Sequence, residues 1–152
     1  MKTGQGLFII LMLAVLLGSC EKKEEPLLSP LSAGEISGER LWERISGESD
    51  YRRYRQWPGH EGRRPGQSPH GALHEVFANR TIYDALPVTG GQVPPGSILV
   101  KENYRVSGEL DKLTVMVKVE AYSPETGDWF WAAFSPEGEV LAEGLPNSCL
   151  SC

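Results

Sequence analysis

Leu113-Thr114-Val115-Met116-Val117-Lys118-Val119-Glu120-Ala121-Tyr122 is the stretch that decides the fold. Leu113, Val115, Val117, Val119 and Ala121 fall on one parity, and Thr114, Met116, Lys118, Glu120 and Tyr122 on the other. A period of two is the mark of a strand with one face against a core. Ser123–Asp128 follows, with Pro124 and Gly127 to turn the chain, and Trp129–Phe134 returns as the antiparallel partner. Pro136-Glu137-Gly138 turns again into Val140-Leu141. Upstream, Ser97–Val106 sets Ile98, Val100, Tyr104 and Val106 on an apolar face and Leu99, Lys101 and Asn103 on the reverse. Gly71–Ala78 sets Leu73, Glu75 and Phe77 against His74, Val76 and Ala78.

Nearer the N-terminus the spacing is helical. Ile36, Leu41, Trp42 and Ile45 predict a helix that Gly47 stops. Asp50–Tyr54 predicts a second short helix capped by Asp50, and Asn79–Leu86 a third. Between them, Pro58, Gly59, Gly62, Pro65, Gly66 and Pro69 predict an irregular loop over 58–69. These elements add up to an α+β fold: N-terminal helices packed on an antiparallel sheet of four to five strands. The chain of 152 residues has room for one such domain, expected over 36–152.

The first nineteen residues read as a signal peptide. Lys2 precedes an apolar run from Leu7 to Leu17, which is too short to span a bilayer that needs about 20 residues. Leu17-Gly18-Ser19-Cys20 then resembles a bacterial lipobox, with small residues before the cut and a cysteine after it to carry lipid. Cys20 is therefore the expected lipidation site. Residues 20–35 are the expected lipidated cysteine and tether, and the expected location is a membrane-anchored lipoprotein facing the periplasm. Cleavage would take the net charge from −5 to −6. Lys22-Lys23, Arg52-Arg53 and Arg63-Arg64 are the basic pairs that remain, too few to track a phosphate backbone, which argues against nucleic acid as a partner.

Cys149 and Cys152 form a C-x-x-C pair. A structural zinc site needs two more Cys or His ligands close by, and His74 is the nearest histidine in sequence. Thioredoxin-like exchange needs a helix after the pair. Covalent c-type haem uses this spacing followed by histidine, and a disulfide is allowed outside the cytoplasm. Spacing alone leaves haem and disulfide open.

Several segments form an ordered set along the chain: Tyr54-Arg55-Gln56-Trp57-Pro58-Gly59, Pro69-His70-Gly71 leading to Val76-Phe77-Ala78-Asn79, and Pro95–Tyr104. Met116-Val117-Lys118, Asp128–Ala132 and Cys149-Leu150-Ser151-Cys152 complete it. The set resembles the cytochrome P460 family of exported c-type haem proteins. The resemblance implies a haem c bonded through Cys149 and Cys152. It also implies an iron-ligating histidine after Cys152, so the sequence is expected to be a fragment of a longer protein.

Further roles follow from the resemblance. Lys101 occupies the place where some family members bond a lysine to the haem macrocycle; by its strand position alone it is a solvated edge lysine. His74 corresponds to polar residues that overhang the open haem face as proton donors, although a lone strand histidine is commonly structural. Glu143, six residues before Cys149, is a candidate proton acceptor at that face. His60 and His70 belong to loops. Trp129, Phe130, Trp131 and Phe134 are core residues that can also wall a haem.

The resemblance implies redox chemistry on hydroxylamine or nitric oxide, with an electron-accepting cytochrome as partner and a homodimer as assembly. The alternatives are a haem protein that binds nitric oxide or another diatomic gas without turnover, and a non-haem lipoprotein interaction domain with a Cys149–Cys152 disulfide. The anchor is tested first: Cys20→Ser should abolish labelling by a fatty-acid analogue and leave unprocessed precursor. Persistent lipid labelling of that variant would refute the lipobox.

Overall fold

The structure, a computed structural model, describes residues 25–67 and 71–145. Cys20, His70, Cys149 and Cys152 lie outside them.

Seven strands form one antiparallel sheet: β1 (Arg55–Gln56), β2 (Arg64–Pro65), β3 (Leu73–Ala78), β4 (Ile98–Tyr104), β5 (Leu110–Lys118), β6 (Trp129–Phe134) and β7 (Val140–Gly144). Their order is β1-β3-β4-β5-β6-β7, with β2 also paired to β3. The α+β class and the antiparallel sheet hold, while the strand count of four to five was too low. The two extra strands are the two-residue pieces β1 and β2. Such short segments show no period in sequence, and β2 lies within the stretch expected to be loop. Pro65 fits there because a proline has no N–H to offer a ladder and is tolerated at a sheet margin.

Helix α1 (Gly38–Glu43) begins at Ser37, whose side chain accepts from Arg40 N, and runs on into a wider turn over Arg44–Glu48. The expected second helix is a single tight turn, Tyr51–Arg53, capped by Asp50 through Arg52 N. Helix α2 (Arg80–Asp84) is capped by Asn79, which also accepts from Ile98 N and so ties α2 to β4. The β5 strand starts three residues earlier than its alternation suggested and ends before Tyr122. Val119 is still buried, but its N–H already bonds Asp128 O across the hairpin end, and Ala121 turns with φ 60°.

Register sorts the sheet into two faces. One carries the rows Phe77–Val100–Val115–Ala132–Glu143 and Glu75–Glu102–Leu113–Phe134–Val140, with Ile98, Val117 and Phe130 beyond. Leu41 and Ile45, both fully buried, pack onto this face, and Trp42 meets Phe134 with ring centroids 5.2 Å apart. Gly38 lets α1 sit close: a Cβ there would lie 2.6 Å from Glu143 Oε2 and 2.8 Å from Val140 Cγ1. The expected apolar face of β4 loses its last member, since Val106 lies past the strand end and is 88 % exposed.

Residues 25–35, expected to be tether, lie against the domain from Glu25 onward. Leu31 is buried, Arg44 donates to Ser29 O, and the Glu25 carboxylate accepts from Arg80 N. Burial raises the Glu25 pKa above the ordinary carboxylate value.

Trp42 is held between Phe134 and the β6–β7 turn. A Cβ on Gly138, at φ 97°, would stand 2.1 Å from Trp42 Cε2, whereas one on Gly90, at φ 76°, meets nothing within 4 Å. A left-handed conformation alone costs a non-glycine residue about 1–2 kcal/mol. Gly90→Ala should lose that much, and Gly138→Ala should lose at least about 1 kcal/mol more because overpacking adds to it. Urea unfolding checks both; equal losses would mean that Trp42 is not clamped.

Candidate functional site on the open sheet face

The second face of the sheet is built from the other parity. Its rows are Ala78–Leu99–Met116–Trp131–Gly144, then Val76–Lys101–Thr114–Ala133–Ala142, then His74–Asn103–Lys112, with Lys118–Trp129 at the far end. Val76, Leu99, Met116, Trp129, Trp131 and Ala133 are only partly buried. Among the described residues no helix covers them as α1 covers the reverse. An apolar surface of this extent, left half-covered, is the kind that takes a ligand or a partner.

Lys101 stands in the middle of this face. It lies on β4, a central strand paired on both sides, and is not the edge lysine that its strand position alone suggested. It is partly buried and forms no ion pair with the described residues. Burial holds its pKa below the ordinary lysine value, because the charged form is the one that loses water.

His74 lies on the same face, opposite Asn103. Its pKa is lowered by burial first and then by the positive charges of Lys101 and His60. A neutral imidazole is therefore the resting form near pH 7. His60 itself sits exposed in a turn, its N–H bonded to Trp57 O.

Glu143 does not join this group. It shares a row with Val100 and Ala132, and its Oε2 accepts from Gly38 N on the helix-bearing face. Strand parity separates it from Lys101 and His74 by the thickness of the sheet. The expectation that it approaches their face does not match this placement. The aromatics of β6 divide the same way: Phe130 and Phe134 enter the core, while Trp129 and Trp131 line the open face. Cys149 follows the end of β7 by five residues in sequence, and the Cys149–Cys152 pair lies outside the described residues.

Two features went unread in the sequence. Asn103 is fully buried on the open face. Glu102, pointing the other way, accepts from Tyr51 Oη at 2.8 Å and from Tyr104 Oη. Burial and the neighbouring carboxylate push the Tyr104 hydroxyl up to about 12. Beside them Arg63 lies 3.8 Å from the Tyr104 ring centroid and pairs with Glu75 at 3.3 Å. Alternation marks side-chain parity but carries no sign of which polar residues are sealed.

The buried charge on Lys101 gives a signed expectation. Its folded pKa lies below the value of 10.5 that it regains on unfolding, so between the two the unfolded chain holds more protons and stability rises with pH. Lys101→Met, similar in volume, should therefore be the more stable form at pH 7, and the gap should shrink as pH climbs toward 10.5. Urea midpoints at pH 7 and pH 10 decide it; a variant less stable at pH 7 would show that the lysine charge is solvated.

A comparison with curated proteins found no match. The sequence does match the family described as Cytochrome P460 over residues 51–152, about two thirds of the chain and including every strand together with Cys149 and Cys152. That family holds its haem c covalently, and a half-buried apolar face bearing a desolvated lysine suits a flat aromatic macrocycle. On this match, the chain belongs to the cytochrome P460 family.

Proposed function

We propose that the protein is a periplasm-facing c-type haem protein that carries out redox chemistry on small nitrogen compounds, hydroxylamine or nitric oxide. The observation that carries this reading is the family match, which runs through the C-x-x-C pair at Cys149 and Cys152. Those thiols would hold the haem through thioether bonds, and the group when bound supplies a redox-active iron.

The remaining roles belong to the chain's own side chains. Trp129, Trp131, Met116 and Leu99 present an apolar wall that keeps water from the reacting side. Desolvation raises the neutral fraction of Lys101, the form whose nitrogen lone pair would be free toward a bound macrocycle. His74, neutral and beside Lys101, is placed to exchange a proton or a hydrogen bond with a small ligand. Glu143 is left out of these roles by its bond to Gly38 N. Lipid on Cys20 would keep the domain at the membrane surface, where a single acyl chain binds only marginally and more than one is needed for stable anchoring. An electron-accepting cytochrome and a second copy of the chain are the proposed partners.

The full gene product, made in a host with periplasmic haem-attachment machinery, should carry haem that resists acid–acetone extraction. Cys149→Ala together with Cys152→Ala should remove most of that resistance. If Lys101 also bonds the macrocycle, residual attachment should persist in that double variant and vanish when Lys101→Ala is added. Turnover of hydroxylamine with reduction of an added cytochrome supports the enzyme; tight gas binding without turnover supports a carrier. A colourless product from that host would reject haem and favour the disulfide-bearing interaction domain.

A further inference from the structure

Residues 25–31 are a docked strap rather than a loose link. The Glu25 carboxylate accepts from Arg80 N at 2.8 Å and from Ser49 Oγ at 3.4 Å. Arg44 Nη1 donates to Ser29 O at 2.9 Å, and Leu31 is buried. Pro30 lies against Gly96, where a Cβ would stand 3.2 Å from Pro30 Cγ. Pro26 and Leu28 line a small cavity together with Asn79, Ile98 and Val117. Those three mark one end of the sheet, where β3 has stopped, β4 starts and β5 is about to stop. The turn between β4 and β5, with Val106 exposed in it, is the opposite end. β4 runs between the two from Ile98 to Tyr104, a length of about 20 Å.

The strap fixes where the chain before it departs. Cys20 precedes Glu25 by five peptide steps, which span at most about 18 Å. The intervening Glu21-Lys22-Lys23-Glu24 has no net charge, so it does not by itself draw the domain to a charged surface. The domain's own side chains around Glu25 are of two kinds. Leu27 is 73 % exposed, a large apolar side chain held out from the strap. Arg53, Arg55 and Arg80 are exposed beside it. Arg53 is close enough to act on the Glu25 charge, while Arg55 and Arg80 both approach Asp84, at 3.9 and 3.2 Å. An apolar side chain ringed by guanidinium groups suits the boundary of a bilayer, where acyl chains meet phosphates.

We propose that this end of the sheet is a membrane-docking surface whose partner is a phospholipid layer: Leu27 enters the headgroup boundary, and Arg53, Arg55 and Arg80 lie among the phosphates. The inference rests on the lipidation of Cys20 proposed above, which brings the surface within reach of lipid. The strands then stand away from the bilayer, with the β4–β5 turn outermost. The face that carries Lys101 and His74 looks sideways, so its ligands and partners approach through water and not through lipid.

The test reads orientation on the full gene product, lipidated and labelled with ¹⁵N. It is placed in nanodiscs of phosphatidylethanolamine and phosphatidylglycerol, with and without a nitroxide-headgroup lipid. Amide signals of Leu27, Arg53 and Thr81 should broaden at least about fivefold more than those of Val106 and Gly108, because the effect falls steeply over the length of β4. Leu27→Asp should reduce the broadening at Arg53 and Thr81 by about twofold or more, since a charge is excluded from the apolar boundary. Equal broadening at the two ends, or more at the β4–β5 turn, overturns the proposal and leaves lipidation standing. Broadening that Leu27→Asp leaves unchanged also overturns it, because the short link alone would then hold this end near the lipid. Absence of fatty-acid label on Cys20 overturns the anchor, and this docking with it.

Discussion

Everything in this molecule hangs on which parity of the sheet the N-terminal helix covers. Leu41, Trp42 and Ile45 on α1 and its continuation settle against Val100, Val115 and Phe134. Side chains alternate with a period of two, so fixing one residue to the core fixes every other on its strand. Once Val100 is under α1, Lys101 must face outward, and once Leu113 is inside, Thr114 and Met116 must be outside. The open face is thus not assembled by its own contacts. It is what remains when the covered face is satisfied.

The strands whose neighbours keep this alternation strict were legible from sequence. Trp129–Phe134 was read with its observed bounds, and β4 and β5 within a few residues, because Val and Phe recur at every second position. The short pieces were not legible. Arg55–Gln56 and Arg64–Pro65 are strands only because β3 offers a free edge for them to meet, and a two-residue pairing leaves no pattern. Packing of residues 25–35 was hidden for a related reason. Leu31 is buried while Leu27 is exposed and Leu28 half-buried, and these three leucines fall on no regular period.

For the candidate site, parity set Lys101 with Leu99 and Asn103, and His74 with Val76, each within its own strand. Only the pairing brings those faces together with Trp129 and Trp131, which read as core. Parity fails where it must be carried across a bulge. Between Ala133 and Phe134 the register with β7 shifts, so that Phe134 meets Val140 while Ala132 meets Glu143. Counting back from Cys149 cannot detect that shift. Only the pairing tells that Glu143 belongs with Ala132, and Ala132 belongs to the core. Asn103 was unread because a buried amide and an exposed one look alike in a strand of alternating residues.

The three polar devices of this sheet share one strand, and that has a mechanical consequence. Glu102 points toward the helices and is held by Tyr51 and Tyr104, while Lys101 and Asn103 point the other way. β4 is bonded along its length to β3 and β5, so its backbone has no free edge along which to shift. Groups carried on such a strand keep their spacing without reorganising when a ligand arrives, which loops cannot guarantee. The carboxylate also gives β4 a reason to hold its twist on the covered side. Moving Glu102 would unseat Tyr51 and Tyr104 together, and the residues next to it in sequence would turn with it. Glu102, hydrogen-bonded on the covered side, and Lys101, which forms no ion pair among the described residues on the open side, are thus one peptide step apart on a strand paired on both edges.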